Sequence, residues 1–155
     1  MVRKQATYFT YATPHGPVTI AATSHGVSHV VFGDSKLEGT RQPSSISNEA
    51  STQLLEYFAG KRTSFDVPLD VEGTPFQKDV WYGISTIPYG TTISSADLAD
   101  SLGKSGAHRS VGTAVKRNPA PPFIPSHRVL SPGASGKQAK IFRALVALEQ
   151  RVLES

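Results

Sequence analysis

The sequence predicts an α+β fold in two parts: a small N-terminal domain over residues 1–72 built on a three-stranded antiparallel sheet, and a helical C-terminal domain over residues 73–155 containing a helix-turn-helix. Three observations predict it. Short apolar runs broken by turn residues open the chain. Helical apolar spacing dominates after the break "VEGT" at Val71 to Thr74. Two short helical patterns flank a turn at Gly103.

Taken in order, residues 7–32 read as a β-meander, with "TYFTYA", "GPVTIAAT" and "GVSHVVFG" separated by the turn stretches "TPHG" and "SHG". Asp34 to Ser47 is polar and aperiodic and reads as a surface loop. A helix is expected from about Asn48 to Phe58, because Leu54, Leu55 and Phe58 share a face and Gly60 supplies a stop. "TSFDVPLD" is short and extended, an edge strand at most, since Pro68 cannot donate to a ladder. Pro75 suits a first helical turn, and Phe76, Val80, Trp81 and Ile84 then fall on one face of a core helix to Thr86. Ser94 can cap the next helix, with Asp97 three residues on and Leu98 and Leu102 facing inward, and Gly103 ends it. "KSGA" turns into a second helix, about Ala107 to Lys116, and a last helix spans about Gln138 to Leu153.

Between them lies "PAPPFIPSHRVL", Pro119 to Leu130. Four prolines in seven residues exclude helix and make a stiff connector that presents Ser126 and His127 in a defined place. On spacing alone the pair reads as a nucleophile and base, as a polar binding pair, or as an ordinary turn. The helix before it is small on one face, at Ala107, Ser110, Gly112 and Ala114, and carries Arg109, Lys116 and Arg117. That pattern fits either close approach to a phosphate-bearing partner or tight helix packing with a solvated basic edge.

Composition sets outer limits. With 38% apolar and 18% charged residues the chain reads as an ordinary globular protein without a membrane span, and a cytoplasmic location is the default expectation, with the nucleoid in a bacterium or the nucleus in a eukaryote as the variants. The net charge of +4 permits an anionic partner without requiring one. The absence of cysteine excludes disulfides and thiolate metal sites, and the five histidines show no supported ligand spacing, so neither metal nor cofactor is expected.

"NPAPPFIPSHRV", Asn118 to Val129, resembles the signature N-P-x-x-x-x-I-P-C-H-R-V of the O6-alkylguanine-DNA alkyltransferases, and "YFAGKRTSFDVPLDVEGTPFQKDVWYGISTIPYGTT" is similar to that family along nearly its whole length. The resemblance implies a DNA-repair protein, monomeric, bound to double-stranded DNA alkylated at guanine O6. It implies that the second helix enters the minor groove, with Ala107, His108, Ser110, Gly112, Thr113 and Lys116 along the contact and Arg109 inserted where a nucleotide is rotated out. Asn118 would hold the strand before the tetrad, His127 would be the proton acceptor through water, Glu149 would orient it, and Pro121 and Val129 would line the lesion pocket with Ser126. Arg128 reads as structural.

The departures are specific. The family's acceptor cysteine is Ser126, and an alcohol resists deprotonation far more than a thiol. The family's tyrosine before the first helix of the helix-turn-helix, which helps rotate the target nucleotide, is Ser95, a position that the resemblance still places among the DNA contacts. His108 and Thr113 stand where the family often has smaller residues. The loop through Gly136 is a few residues short of the segment that closes the guanine pocket. Together these imply a member that binds alkylated DNA without alkyl transfer and passes the lesion to a downstream repair protein. Two alternatives remain at this stage: an alkyltransferase with its acceptor replaced by serine, and a hydrolase using Ser126, His127 and Glu149.

Overall fold

The computed structural model describes residues 6–155, which divide into two compact units between Glu72 and Gly73.

In the first unit three strands, β1 (Thr7–Tyr11), β2 (Val18–Thr23) and β3 (Gly26–Phe32), form the expected antiparallel meander. The sheet has a fourth strand, β4 (Thr40–Arg41), parallel to β1 in the order β3-β2-β1-β4. This corrects the three-stranded expectation. The Thr40 amide donates to the Ala6 carbonyl at 3.1 Å and the Gln42 amide to Tyr8 at 2.9 Å. Both β4 residues are exposed, so no apolar alternation announced the strand; its pairing is purely backbone.

Helix α1 (Ser45–Phe58) packs on β2 and β3 and buries Ala50, Leu54 and Tyr57 against Val18, Ile20 and Val27. It begins three residues before the sequence expectation. A reciprocal cap causes this: the Ser47 amide donates to Ser44 Oγ at 3.1 Å, and the Ser44 amide to Ser47 Oγ at 2.9 Å. The "TSFDVPLD" stretch contributes one bridge rather than a strand. The Val27 amide donates to Pro68 O at 2.9 Å and the Asp70 amide to Val27 O at 2.7 Å, so the proline serves as acceptor only.

In the second unit α2 (Pro75–Ser85) starts on a Thr74–Gln77 capping box and buries Val80, Trp81 and Ile84. Strand β5 (Ile93–Ser94) leads into α3 (Ser95–Ser101), where the Asp97 amide donates to the Ser94 side chain at 3.0 Å, as its spacing predicts. Gly103 takes φ +70°, a left-handed stop that glycine adopts without a Cβ penalty. A 3₁₀ turn at Ser105–Ala107 then feeds α4 (His108–Lys116). Trp81 Nε1 donates to Ala114 O at 2.9 Å, tying α2 to α4 through a buried contact. After the proline run, β6 (Val129–Leu130) pairs parallel with β5, and α5 (Lys137–Glu154) closes the unit with Ile141, Leu145 and Glu149 buried on one stripe. Among the described residues no helix is long and apolar enough to cross a membrane.

Candidate lesion pocket and nucleic-acid interface

The proline segment is buried from Ala120 to Val129, an unusual place for irregular backbone, which must find partners for its polar groups. Asn118 supplies several of them. Its Nδ2 donates to Ile124 O at 2.7 Å and to Ser126 Oγ at 3.0 Å, and its Oδ1 accepts from the Ala120 amide at 2.9 Å. The Ser126 amide donates to Ile124 O at 2.8 Å. Both ends of the proline run are thereby pinned to one side chain, and Ser126 sits at the start of a 3₁₀ turn with 4% of its surface exposed.

Behind that turn Glu149 gathers four donor groups from three residues. Its carboxylate accepts from Arg128 Nε at 2.9 Å and Nη2 at 3.0 Å, from His127 Nε2 at 2.6 Å, and from the Gly90 amide at 2.8 Å. Arg128 Nη1 donates onward to Ile87 O at 2.8 Å. Glu149 and His127 are almost wholly buried and Arg128 is 8% exposed. Burial holds the His127 imidazole below its usual pKa, outweighing the opposing pull of Glu149, whose charge Arg128 already neutralises. With Nε2–H assigned to the carboxylate, Nδ1 is the basic nitrogen of the neutral ring. Burial, followed by Glu149, raises the Tyr89 phenol, while the Arg128 guanidinium 5.4 Å over its ring opposes the shift. Arg128 is thus a cation held between an acid and a carbonyl, in keeping with its reading as structural.

Ser126 opens into a cavity of about 350 Å³. Asn118, Val129 and Lys116 line it from one side, and Gln138 and Phe142 of α5 with the 131–135 loop from the other. Of the residues expected around a pocket, Ser126 and Val129 are there; Pro121 is buried but does not line this cavity, and His127 and Glu149 do not line it either. Gln138, Phe142 and the loop were missed. A signal for Phe142 was present, three and seven residues before the buried Leu145 and Glu149 on α5, but the loop's inward fold depends on contacts such as Arg143 Nη1 to Ala134 O at 3.3 Å. The shortened loop still forms a wall.

On α4, Val111, Ala114 and Val115 face the core, whereas His108, Arg109, Ser110, Thr113 and Lys116 are exposed, and Ala107 and Gly112 are half-buried. Half the small face therefore packs and half is open. Ser95, at the start of α3, is half-buried beside Gly112, where an added Cβ would stand 4.0 Å from Ser95 Oγ. Arg109 and Arg117 border a shallow groove of about 410 Å³ with Gln77 and Thr113, and no carboxylate lines it. His108 bonds Asp100 at 3.1 Å, and that bond lowers the Asp100 pKa.

The family model for the 6-O-methylguanine DNA methyltransferase ribonuclease-like domain matches residues 6–71, and that for the DNA-binding domain of the same proteins matches residues 75–155. The chain belongs to the 6-O-methylguanine DNA methyltransferase family. Among its relatives, the methylated-DNA–protein-cysteine methyltransferase of Methanosarcina acetivorans is 42% identical over 135 residues, covering 84% of this chain and 85% of that protein. The constitutive enzyme of that name from Bacillus subtilis is 45% identical over 107 residues, 66% of this chain and 65% of its own. The crystal structure of the Mycobacterium tuberculosis O6-methylguanine methyltransferase superposes with a TM-score of 0.86 at 36% identity, covering 95% of this chain and 94% of that one, and the same organism's protein in complex with DNA gives 0.85 at 38%, with 94% of each chain covered. Relatives are named for transfer to a protein cysteine; this member of the 6-O-methylguanine DNA methyltransferase family has none.

Proposed function

We propose that this protein binds double-stranded DNA containing O6-alkylated guanine, rotates the modified base into the cavity at Ser126, and holds it there without taking the alkyl group. The observation that carries the reading is a base-sized cavity whose buried hydroxyl belongs to a serine in a chain without cysteine. Transfer would require Ser126 Oγ to lose its proton and displace guanine O6 from the alkyl carbon. A thiol near pKa ~8.5 reaches its nucleophilic form easily, but an alcohol does not. Burial lowers the His127 pKa, which makes it a weaker base for that proton. The exposed face of α4 supplies the DNA contact, with Arg109 as the side chain that enters the stack and Lys116 and Arg117 suited to phosphates. A complex held in this way marks the lesion for a downstream repair protein.

The test is fluorescence anisotropy at fixed, stated salt on two duplexes that differ only in guanine or O6-methylguanine, with the intact protein mass measured afterwards. A preference of about tenfold, equivalent to about 1.4 kcal/mol, with unchanged protein mass is the expected result. Equal binding, or a protein heavier by one methyl group, overturns the reading.

One observation favours a second reading, an alkyltransferase whose acceptor has been replaced: the Asn118 bond to Ser126 and the pairing of the next residue, His127, with Glu149 are both in place. Ser126→Cys should then become stoichiometrically alkylated by the modified duplex. A variant that folds, binds and stays unalkylated rejects it. The third reading, a hydrolase using Ser126, His127 and Glu149, would be carried only by labelling of Ser126 with a fluorophosphonate.

A further inference from the structure

We infer that the cavity at Ser126 favours guanines whose O6 substituent ends in an anionic oxygen, a carboxylate on a short linker, over those whose substituent is neutral. The inference rests on the proposed capture of an O6-modified base and names the class of lesion that the cavity selects.

The lining is rich in donors. Its polar side chains are hydroxyls, amides and one cation, Lys116, and it contains no carboxylate. Ser126 is buried and its hydroxyl oxygen accepts from Asn118 Nδ2, while the hydroxyl proton meets no acceptor among the described residues. Asn118 does not take that proton, because it meets Ser126 Oγ through Nδ2, which is a donor only, while its Oδ1 is turned to the Ala120 amide. The bond from Asn118 thus occupies a lone pair of Ser126 Oγ and leaves its O–H for a ligand in the cavity. A buried donor with nothing to bond is costly, and an acceptor brought by the ligand removes that cost.

Lys116 stands in the last turn of α4 on the same cavity, exposed and with no ion pair among the described residues. Across from it, α5 begins without a side-chain cap, and Gln138 and Ala139 of its first turn also line the space. The first amides of a helix have no intrahelical acceptor and carry positive potential. The nearest buried acid, Glu149, is not in the lining and is already paired with Arg128. A methyl group meets only the apolar wall at Val115, Val129 and Phe142 and leaves these donors unused. A carboxylate can accept from the Ser126 hydroxyl and pair with Lys116, and hydrogen bonds to charged groups are the strong ones.

The experiment compares anisotropy titrations on four otherwise identical duplexes at one salt concentration: guanine, O6-methylguanine, O6-carboxymethylguanine, and the O6-carbamoylmethyl amide, which matches the carboxymethyl group in size but lacks its charge. The carboxymethyl duplex should bind about tenfold tighter than the amide duplex, the ratio expected for one charge-assisted contact. Lys116→Gln should weaken all four duplexes through lost phosphate attraction and bring that ratio to about one. A ratio near one in the unaltered protein, or a ratio that survives Lys116→Gln, overturns the inference, the latter because Lys116 would then serve only the DNA backbone. The guanine and O6-methylguanine arms keep the two proposals apart. If O6-methylguanine is preferred but the carboxylate gains nothing over its amide, only this inference fails. If no modified guanine outbinds guanine, base capture fails with it.

Discussion

Replacing Glu149 by glutamine tests the site most directly, because one carboxylate holds the turn that carries Ser126 together with two of its neighbours. The carboxylate accepts two bonds from Arg128, one from His127 and one from the Gly90 amide, in surroundings where Glu149 is 1% exposed. Each hydrogen bond to a charged partner contributes about 1.5–3 kcal/mol, and glutamine keeps one acceptor oxygen for Arg128 but turns the other into a donor. The amide keeps the shape but leaves the buried Arg128 guanidinium without a counter-charge, and breaking a buried pair from one side costs about 3–5 kcal/mol. Glu149→Gln should therefore destabilise the second unit by about 3–5 kcal/mol. Urea unfolding followed by the fluorescence of Trp81 reads this directly, since Trp81 is the chain's single tryptophan and lies buried in that unit. The double variant Arg128→Met with Glu149→Leu should lose less than Glu149→Gln alone, because it removes both charges together. A loss under about 1 kcal/mol for Glu149→Gln would show that the pair is solvated and the reasoning wrong.

Further predictions concern the same unit. Because burial lowers the His127 pKa, the unfolded chain takes up a proton near the ordinary value of 6.5 while the folded one does not, so this contribution is complete above that pH and is lost as pH falls from there toward the folded value. Urea midpoints at pH 7.5 and 5.5 should differ in that sense, and His127→Gln should shrink the difference. Asn118→Ala leaves the buried Ile124 carbonyl without its amide donor and should cost about 1–3 kcal/mol, read by the same unfolding assay, together with part of the preference for modified duplex. Gly90 has φ +81° and an added Cβ would collide with Leu153, so Gly90→Ala should destabilise by about 1–2 kcal/mol from the backbone alone; an unchanged midpoint would contradict that. Arg109→Ala should lower the preference for O6-methylguanine over guanine by about fivefold, since inserting a side chain offsets part of an unstacking cost of a few kcal/mol; a retained preference would remove Arg109 from base rotation.

Much of this was legible before any coordinates. The short apolar runs of β1 to β3 between turn residues, the Ser94 and Asp97 spacing, the inward stripe of α2 and the Gly103 stop are local signals, each written within a few residues, and local sterics and capping bonds enforce them in any context. The prolines of Asn118 to Val129 likewise restrict the backbone wherever they occur, but the resemblance to the alkyltransferase signature is what marks the stretch as a site.

What only the tertiary structure decided is long-range. Strand β4 forms because Thr40 and Gln42 meet backbone groups more than thirty residues away, which no side-chain pattern encodes. The early start of α1 was hidden in a run of serines whose capping geometry shows only when Ser44 and Ser47 face each other. Glu149 was readable as an acid on a helix, but its pairing with Arg128 and the lowered pKa of His127 both depend on burial, which brings together residues more than twenty positions apart. The lining of the cavity by Gln138, Phe142 and the 131–135 loop is of the same kind. Sequence pattern specifies which residues prefer which local backbone, whereas a cavity and a buried charge exist only where packing excludes water, and packing is a property of the folded chain as a whole.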